Sequence, residues 1–375
     1  MKEKYLFCYL KTGGGHFAPS SAIANEITKL NGNKIEPILV DGLSQSNLIA
    51  KLFIEYGYRF LQNHAKKLFE LLYAANKINI IGKYNLFLSN IFIKPYFLKL
   101  INEKRPSKII ILHFLLIKPV LQALKELNIN IPVFVVVTDP FTVHPIWFNY
   151  KNIKYILFSD KAKKYALKCK IPENNIYQLS FPVDEKYSKS LSRRTINLLK
   201  KKLIIPIDKK IILIIGGGDG IPKGNIILSK VLSSMPNHHI IIVCGRNKSL
   251  LNYSDNLQNK YSNLTVYGFT DKVYELLNIS DFIITKCGAS TIYEILLQKK
   301  IPIVNQYIWE QELGNMEYIR DNKLGVYEKN IETIPKIIYN LSNDEQLNNF
   351  YHQNIANLKL QNGVKEVAKF IVNYK

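Results

Sequence analysis

Residues 211–220 read IILIIGGGDG, in which five branched apolar residues lead into a glycine-rich turn. A short run that is apolar throughout predicts a strand buried on both faces of a sheet. The glycines that follow allow the backbone to adopt positive φ and to approach a ligand closely. This order of strand and glycine turn predicts the opening of a domain with a parallel sheet.

The same order occurs near the start of the chain, where residues 5–16 read YLFCYLKTGGGH. Other short runs rich in β-branched residues alternate with helical patterns. These runs occupy residues 38–40, 109–112, 133–137, 155–158, 240–243, 264–267, 282–284 and 301–304. Strands that alternate with helices indicate parallel sheets covered on both faces. We therefore expect an α/β chain with two doubly wound domains.

The alternation breaks once, in a polar and basic stretch over residues 185–209. Because 375 residues exceed a typical single core, we interpret this stretch as a domain junction. The predicted domains are residues 1–190 and 191–355, followed by a C-terminal helix over 356–375 that either ends the second domain or returns to the first. Ligands bind beyond the carboxyl ends of the strands in such sheets, so we expect a ligand between the two domains.

The net charge of the chain is +22, from 51 lysines and arginines against 29 acidic residues. Such a surplus implies an anionic partner, either nucleic acid or an anionic lipid surface. The sequence lacks helix-turn-helix, RNP, KH and zinc-finger patterns, so we expect no nucleic acid. It also lacks an apolar run of about 18 residues, so we expect no spanning helix. The four cysteines form no CxxC pair, and we expect reduced, buried thiols.

Residues 46–105 form an insertion that does not follow the alternation. They hold ten basic and three acidic residues, interleaved with aromatic side chains, and their apolar positions recur at helical spacing. A helix with an aromatic and aliphatic face opposite a basic face suits a lipid interface. The same pattern fits a helix that packs on the sheet and exposes its basic face to water. The pattern alone leaves both interpretations open.

The first candidate site is the glycine loop of the first domain, which ends at His16. Gly14 and Gly15 precede a helix whose first turn offers free N–H groups and positive potential. His16 is placed to act as a general base on an acceptor hydroxyl, although a histidine that only caps or packs is the alternative. Asp139 follows a strand, where it could orient His16, act as the base itself or only cap a helix.

A proline-containing loop with the sequence VHPIWF follows Asp139, over residues 143–148. Trp147 in this loop could lie against a lipid or a sugar. Together with His144 and Pro145 it forms the predicted acceptor or membrane contact of the first domain.

The second domain carries two further glycine turns. Residues 216–220 read GGGDG, and residues 288–291 form a turn of small residues at the start of a helix. Both turns would present backbone N–H groups to a phosphate. Glu312 and Asn315 lie three residues apart and can face one ligand from one helix, where a carboxylate suits a pair of sugar hydroxyls. A solvated helix face is the alternative for this pair.

These motifs resemble those of the monogalactosyldiacylglycerol synthases and their bacterial relatives, the processive diacylglycerol glucosyltransferases. More distantly, the chain is similar to the UDP-N-acetylglucosamine transferase that makes lipid II. The resemblance covers nearly the whole chain. Its motifs are, in order, TGGGH, VTDPFTVHPIWF, FSDKAKKYALKCKI with the downstream FPV, GGGDG, VCGRNK, YGFTDKV, ITKCGAST and QELGN.

The resemblance implies a GT-B architecture, in which two Rossmann-like domains face each other across a cleft. It implies that the second domain binds the UDP-sugar donor, whereas the first binds the acceptor and docks on the membrane through the insertion over 46–105. It also implies an inverting reaction without a metal or another cofactor, in which helix dipoles and glycine amides stabilise the leaving diphosphate.

Transferred by position, the resemblance makes His16 and Asp139 the candidates for the base. The residues that it assigns to the uracil and phosphate region are Gly217, Gly218, Arg246, Phe269 and Thr270. Those that it assigns to ribose and phosphate are Gly288, Ser290, Thr291 and Glu294, and those that it assigns to the sugar are Gln311, Glu312 and Asn315. The chain departs from the family at Ala289 and Ser290, where a proline and a glycine are usual, and at Phe17, where an arginine is common.

We therefore expect an inverting hexosyltransferase that moves a sugar from a UDP-hexose to the sn-3 hydroxyl of 1,2-diacylglycerol and forms a β-glycosyldiacylglycerol. The HPIWF loop favours galactose over glucose. The alternatives are a diacylglycerol β-glucosyltransferase, a UDP-N-acetylglucosamine transferase acting on a polyprenyl-linked precursor, a UDP-sugar epimerase and a non-catalytic lipid-binding protein of this fold. The expected partners are UDP-hexose, diacylglycerol and anionic membrane lipids. The expected location is peripheral, on the cytoplasmic face of a bacterial membrane or on a plastid-type membrane.

Overall fold

The computed structural model describes residues 2–11, 14–44, 57, 65–75 and 79–374. Much of the 46–105 insertion therefore lies outside the described residues, as do the first two residues of the TGGGH loop.

The chain divides into two compact units. The first comprises Met1–Glu185 together with Gly363–Lys375, and the second comprises Lys186–Asn362. The division thus falls at residue 185, whereas the sequence analysis places it at 190.

The first unit is built on a parallel sheet with the strand order β2-β1-β3-β4-β5-β6. Its strands are β1 (Glu3–Tyr9), β2 (Ile35–Asp41), β3 (Lys108–Ile111), β4 (Val133–Val136), β5 (Lys154–Leu157) and β6 (Ile176–Gln178). Its described α-helices are Phe17–Asn31, Lys66–Ala75, Asn79–Lys104, Ile117–Glu126, Asp160–Lys168 and Val364–Asn373. The central strands β3 and β4 are buried along their whole length, as expected for a sheet covered on both faces.

The second unit is built on a parallel sheet with the order β9-β8-β7-β10-β11-β12, which is the 3-2-1-4-5-6 order of a doubly wound dinucleotide-binding fold. Its strands are β7 (Ile211–Ile215), β8 (His239–Val243), β9 (Leu264–Tyr267), β10 (Phe282–Lys286), β11 (Pro302–Gln306) and β12 (Val326–Tyr327). Its described α-helices are Arg193–Lys202, Gly224–Ser234, Lys248–Gln258, Val273–Ile279, Ala289–Leu297, Trp309–Asp321, Ile334–Asn343 and Glu345–Asn357.

The predicted α/β class with two doubly wound parallel sheets is confirmed. Each apolar run predicted as a strand overlaps a strand of the structure. The edge strands β6 and β12 escaped prediction because they are three and two residues long and carry no apolar run.

The C-terminal helix, Val364–Asn373, packs on the first unit. Lys108, at the start of β3, donates hydrogen bonds to the carbonyls of Ile371 and Tyr374 at 2.8 and 2.6 Å. Burial lowers the pKa of this lysine. The helix begins at Val364 rather than at 356, because residues up to Asn357 form the preceding helix of the second unit.

Two expectations from the sequence concern membrane-spanning helices and the cysteines, and both bear on the described residues. Within these ranges, no helix is both long enough and apolar enough to cross a bilayer. None of the four cysteines forms a disulfide bond. Cys8, Cys244 and Cys287 are buried as expected. Cys169 is partly exposed because it lies at the end of the helix Asp160–Lys168.

Each sheet has a switch point, where neighbouring strands lead to helices in opposite directions. In the first unit it lies between β1 and β3, and in the second between β7 and β10. The loops that leave the two strands diverge there and open space at the carboxyl edge of the sheet. The glycine loop ending at His16 follows β1, and the turns over 216–220 and 287–291 follow β7 and β10.

Candidate functional site

His16 lies at the switch point of the first unit, immediately before the helix Phe17–Asn31. Its side chain makes no capping hydrogen bond to this helix, although the backbone carbonyl of Gly14 accepts from the N–H of Ala18 at 3.0 Å. Among the described residues, no atom lies within 4 Å of where a Cβ on Gly15 would be, so they leave room for a ligand at that point. Because its side chain makes no capping hydrogen bond, His16 does not cap the helix, which was one of the alternatives from the sequence.

The imidazole of His16 is enclosed, with 8 % of the residue exposed. Its Nδ1 lies 2.8 Å from the hydroxyl of Thr138, and the backbone of Leu112 forms a further hydrogen bond to the ring. Burial lowers the pKa of His16 to about 4, so the ring is neutral at physiological pH. A neutral imidazole can accept a proton, but this one sits deeper than a base displayed at the tip of a loop.

His113 is a functional candidate that sequence reasoning missed. Its ring lies edge-on to His16 at 4.6 Å and nearly parallel to Phe114 at 4.6 Å. Its Nδ1 accepts the N–H of Leu115 at 3.3 Å. Burial, reinforced by the neighbouring His16, holds the pKa of His113 well below its usual value. The available signal was its position directly after the predicted strand over 109–112.

Asp139 lies just beyond the carboxyl end of β4 and is partly exposed. Its Oδ2 accepts a hydrogen bond from the indole N–H of Trp147 at 3.0 Å. The following helix is capped by Ser159 instead, whose hydroxyl accepts from the N–H of Ala162, so Asp139 does not serve as that helix cap. Asp139 directly follows Thr138, whose hydroxyl contacts His16.

The predicted acceptor loop differs from the expectation at two residues. Trp147 is fully buried and packs against Phe114 at 5.7 Å, so its ring cannot lie against a lipid or a sugar. The cause is the 3₁₀ turn Pro145–Phe148, which turns the indole into the core. His144 is also buried, and its Nδ1 accepts from the N–H of Ile146 at 3.2 Å. Trp147 therefore positions Asp139 rather than contacting an acceptor.

The glycine turn after β7 opens the candidate site of the second unit. Gly217 adopts φ +80°, a conformation that favours glycine. The carbonyl of Gly218 accepts the N–H of Arg246 at 2.8 Å, which ties this turn to the loop after β8. The guanidinium of Arg246 lies 4.2 Å from the ring centre of Phe269, which is exposed and follows β9. An exposed cation stacked on an aromatic ring suits an anionic, planar ligand.

The loop after β10 brings a lysine to the same carboxyl edge. Lys286 ends β10, and its Nζ forms an ion pair with Glu312 Oε1 at 2.5 Å. A Cβ placed on Gly288 would lie 3.2 Å from Lys286 Nζ and 3.6 Å from Glu312 Oε1, so the absence of a side chain at Gly288 leaves this space open. A Cβ on Gly217 would lie 4.0 Å from Lys286 Cε. Lys286 therefore lies against both glycine turns.

Two buried polar atoms of this edge have no hydrogen-bond partner among the residues that the structure describes. They are the hydroxyl of Ser290 and Oδ1 of Asn315. The amide nitrogen of Asn315 donates to the carbonyl of Cys287 at 2.8 Å, which fixes the orientation of the side chain. A ligand bound at this edge would give both atoms a hydrogen-bond partner.

The remaining predicted donor-site residues occupy the loops and helix starts at this edge. Thr270 follows Phe269, and its hydroxyl accepts from the N–H of Lys272. Thr291 and Glu294 lie in the first turns of the helix Ala289–Leu297, and Gln311 lies in the first turn of the helix Trp309–Asp321. All four are partly exposed.

Sequence reasoning predicted Glu312 at this site but missed its partner. Glu312 is 8 % exposed, and its second oxygen accepts the N–H of Ile308 at 2.8 Å. It is therefore not on a solvated helix face, which was the alternative for this residue. Lys286 could have been found from its position as a basic residue at the end of a strand beside the switch point.

Two family models match the chain, one for each half. Residues 16–183 match the monogalactosyldiacylglycerol synthase family, and residues 211–370 match the C-terminal domain of glycosyltransferase family 28.

Curated relatives match over most of the chain. A chloroplastic monogalactosyldiacylglycerol synthase from Spinacia oleracea is 28 % identical over 90 % of this chain and 65 % of its own length. A processive diacylglycerol beta-glucosyltransferase from Staphylococcus haemolyticus is 27 % identical over 92 % of this chain and 85 % of its own length. The chain thus spans about two thirds of the plant protein and most of the bacterial one.

A solved glycosyltransferase structure from Rickettsia africae covers 100 % of both chains at 17 % sequence identity, with a TM-score of 0.57. This likeness shows the shared GT-B fold, with two Rossmann-like domains.

Proposed function

Because the chain belongs to the glycosyltransferases that join a monogalactosyldiacylglycerol synthase domain to a family 28 C-terminal domain, we propose that it glycosylates diacylglycerol. The proposed reaction transfers a hexose from a UDP-sugar to the sn-3 hydroxyl of 1,2-diacylglycerol, with inversion, and gives a β-glycosyldiacylglycerol. The observation that carries this proposal is the glycine-lined, lysine-containing edge at the switch point of the second sheet.

Three features of the second unit support the proposed binding of a UDP-sugar. The turns at Gly217 and Gly288 expose backbone near a cation, which suits a diphosphate. Arg246 on Phe269 suits the nucleotide end of the donor. Glu312 and Asn315, which share one helix face, suit the hydroxyls of the hexose.

The first unit supplies two candidates for the base, His16 and Asp139. Both lie at the carboxyl edge of its sheet. Thr138 directly precedes Asp139 in the chain, and its hydroxyl lies 2.8 Å from Nδ1 of His16. The base takes the proton of the glycerol hydroxyl, whose oxygen attacks the anomeric carbon, and UDP leaves with the bonding electrons. The enclosure of His16 and the partial exposure of Asp139 give the carboxylate the better access to an acceptor.

Galactose remains the proposed sugar because the HPIWF loop resembles that of the galactosyl branch of the family. Since His144 and Trp147 are buried, this support comes from the resemblance and not from a contact with the sugar. Glucose is the second candidate, because a bacterial diacylglycerol glucosyltransferase matches this chain about as well as the plant synthase does, at 27 % identity against 28 %. Purified protein incubated with diacylglycerol and either UDP-galactose or UDP-glucose should release UDP, and NMR of the product should show a β linkage. The absence of UDP release with both donors would contradict the proposal.

We also propose that the chain binds anionic membranes peripherally through the described helices of its insertion. Leu68, Leu71 and Leu72 are exposed on the helix Lys66–Ala75, at a spacing that places them on one face. Phe87, Ile91 and Phe92 are exposed on the helix Asn79–Lys104. Apolar faces of this kind on a chain of net charge +22 suit an anionic bilayer on the cytoplasmic side.

The reaction is proposed to need no metal or other cofactor, because backbone amides and Lys286 can compensate the charge on the leaving diphosphate. Turnover should therefore survive dialysis against EDTA. Loss of activity that added magnesium or manganese restores would contradict this part of the proposal.

A further inference from the structure

We propose that Lys286 binds the β-phosphate of the nucleotide donor and that Glu312 holds the lysine in place for this contact. The inference deepens the proposed function and rests on it, since it assumes that a nucleoside diphosphate occupies the carboxyl edge of the second sheet. It adds a binding residue that neither the glycine turns nor the sequence motifs assign.

The first argument is the position of the ammonium group. Lys286 ends β10, which pairs with β7 at the switch point, and the side chain lies against both glycine turns. Its Cε is 4.0 Å from where a Cβ on Gly217 would be, and its Nζ is 3.2 Å from where a Cβ on Gly288 would be. Any group bound on the backbone of these two turns would therefore meet the ammonium.

The second argument is the way in which Glu312 is held. One carboxylate oxygen pairs with Lys286 at 2.5 Å, and the other accepts the backbone N–H of Ile308 at 2.8 Å. The carboxylate is thus fixed at the start of its helix and restrains the lysine. Only 18 % of the lysine side chain and 10 % of the glutamate side chain are exposed, so water screens this pair weakly.

The third argument is the number of donors that the pair leaves unused. An ammonium has three N–H groups, and Glu312 takes one of them. Within the described residues, no other hydrogen-bond acceptor is recorded for Lys286. A phosphate oxygen would fill the remaining positions, and the resulting charge-assisted bond is among the stronger hydrogen bonds in proteins.

The fourth argument is independent of the lysine. The Ser290 hydroxyl and Asn315 Oδ1 are buried without partners in the described part of the chain. Asn315 is 3 % exposed, and its amide nitrogen bonds the carbonyl of Cys287, one residue after Lys286. A phosphate oxygen would satisfy the hydroxyl, and a sugar hydroxyl would satisfy the amide oxygen. The class of ligand that suits the lysine would therefore also satisfy these two atoms.

The consequence for the reaction concerns the leaving group. As the bond between the sugar and the β-phosphate breaks, negative charge grows on the β-phosphate oxygen. An ammonium already in contact with this phosphate stabilises that charge without reorganisation. Lys286 therefore acts on the donor twice, first in binding the diphosphate and then in its departure.

The test compares UDP with UMP, which lacks the β-phosphate, by isothermal titration calorimetry on the full chain. For Lys286→Met we expect the Kd for UDP to rise about tenfold, the loss of one charge-assisted hydrogen bond, while the Kd for UMP stays within about twofold. Lys286→Arg keeps the charge and should bind UDP within about threefold of the natural chain.

The matched control is Lys230→Met. Lys230 pairs with Glu332 at the same separation, 2.5 Å, in the same unit but outside the proposed site. Its removal should leave both affinities unchanged. If Lys286→Met proves unstable by circular dichroism, Lys286→Gln keeps a donor for Glu312 without the charge and answers the same question.

Equal UDP affinity of the natural chain and Lys286→Met would overturn the inference. An equal loss for UDP and UMP would overturn it as well, because the lysine would then act only on the shape of the site. The proposed function fails in a different way, through a natural chain that binds neither nucleotide.

Discussion

His16 and Lys286 stand at the carboxyl edges of two sheets of the same class, each beside a switch point and a glycine turn, but their surroundings differ. His16 is packed among Thr138 and the rings of His113 and Trp147, and burial lowers its pKa to about 4. Lys286 is ion-paired and lies against open glycine backbone. The first, which we call the neutral edge after the uncharged ring of His16, surrounds this ring with aromatic side chains and carries the carboxylate of Asp139 beside them. The second, which we call the charged edge, holds the Lys286–Glu312 ion pair and two polar atoms without partners in the described part of the chain.

This contrast separates the two substrates by their chemistry. A neutral, aromatic edge suits an acceptor whose reacting group is an uncharged hydroxyl on an apolar molecule. An edge with a fixed ammonium and orphaned polar atoms suits a diphosphate joined to a sugar. The proposed reaction needs both, and our proposal assigns one edge to each substrate.

The largest expected effect is on catalysis at the neutral edge. Asp139→Asn and His16→Ala should each be measured for turnover and for UDP affinity. The variant that removes the base should lower kcat by about 10²- to 10⁴-fold. Its UDP affinity should be unchanged, since the proposed donor site lies in the other unit. Asp160→Asn, which alters an exposed aspartate of the same unit, is the control. A loss of UDP affinity in either variant would break the division of roles between the two edges.

The next effect concerns the stability of the neutral edge in acid. Burial lowers the pKa of His16 to about 4 in the folded chain, below its ordinary value. The full stability of the folded chain at this residue is therefore present only above about pH 7, where the ring is neutral in the unfolded chain as well. Between pH 7 and pH 5 the unfolded chain binds the proton, which lowers the free energy of unfolding by about 2 kcal/mol for this group. His16→Asn should lack that share of the acid sensitivity in thermal melts from pH 7 to pH 5. If the melting temperatures of both proteins fall equally between pH 7 and pH 5, the ring of His16 is accessible to water in the folded chain.

A smaller effect tests the buried indole that positions the candidate base. Trp147→Phe keeps an aromatic ring but removes the N–H that bonds Asp139. Turnover should fall about tenfold, and the loss should not add to that of Asp139→Asn in a double-mutant cycle. Additive losses would indicate that the indole acts only through core packing.

The smallest expected effect concerns the glycine turn of the charged edge. Gly217 has φ +80°, so Gly217→Ala should lower the free energy of unfolding by about 1 kcal/mol and weaken UDP binding a few-fold. Gly268→Ala is the control, because its new Cβ would meet Leu251 at 3.5 Å, an ordinary contact, at a φ that is not positive. If calorimetry shows equal UDP affinity for the two variants, the turn at Gly217 does not belong to the site.

The fold and the backbone of the charged edge could be predicted from sequence because they depend on local patterns. Apolar runs and glycines are recognisable within a few residues, as at Ile211–Ile215 and Gly217. The ion pair of Lys286 with Glu312 could not, since its members are 26 residues apart and meet only through the order of β10 and β11.

The neutral edge was harder to predict because its residues depend on packing. Trp147 in a proline-containing loop fits an exposed contact as well as a buried one, and only its packing against Phe114 decides between them. His113 carries no motif of its own, and its significance comes from the adjacency of β1 and β3. Loop aromatics and isolated histidines are therefore weak signals until the sheet order is known.

The measurement that tests the account most directly is a crystal structure of the chain with UDP. We predict that the diphosphate lies on the turns at Gly217 and Gly288 with a β-phosphate oxygen within hydrogen-bond distance of Lys286 Nζ. A UDP molecule bound away from the carboxyl edge of the second sheet, with the Lys286–Glu312 pair facing only water, would contradict the account.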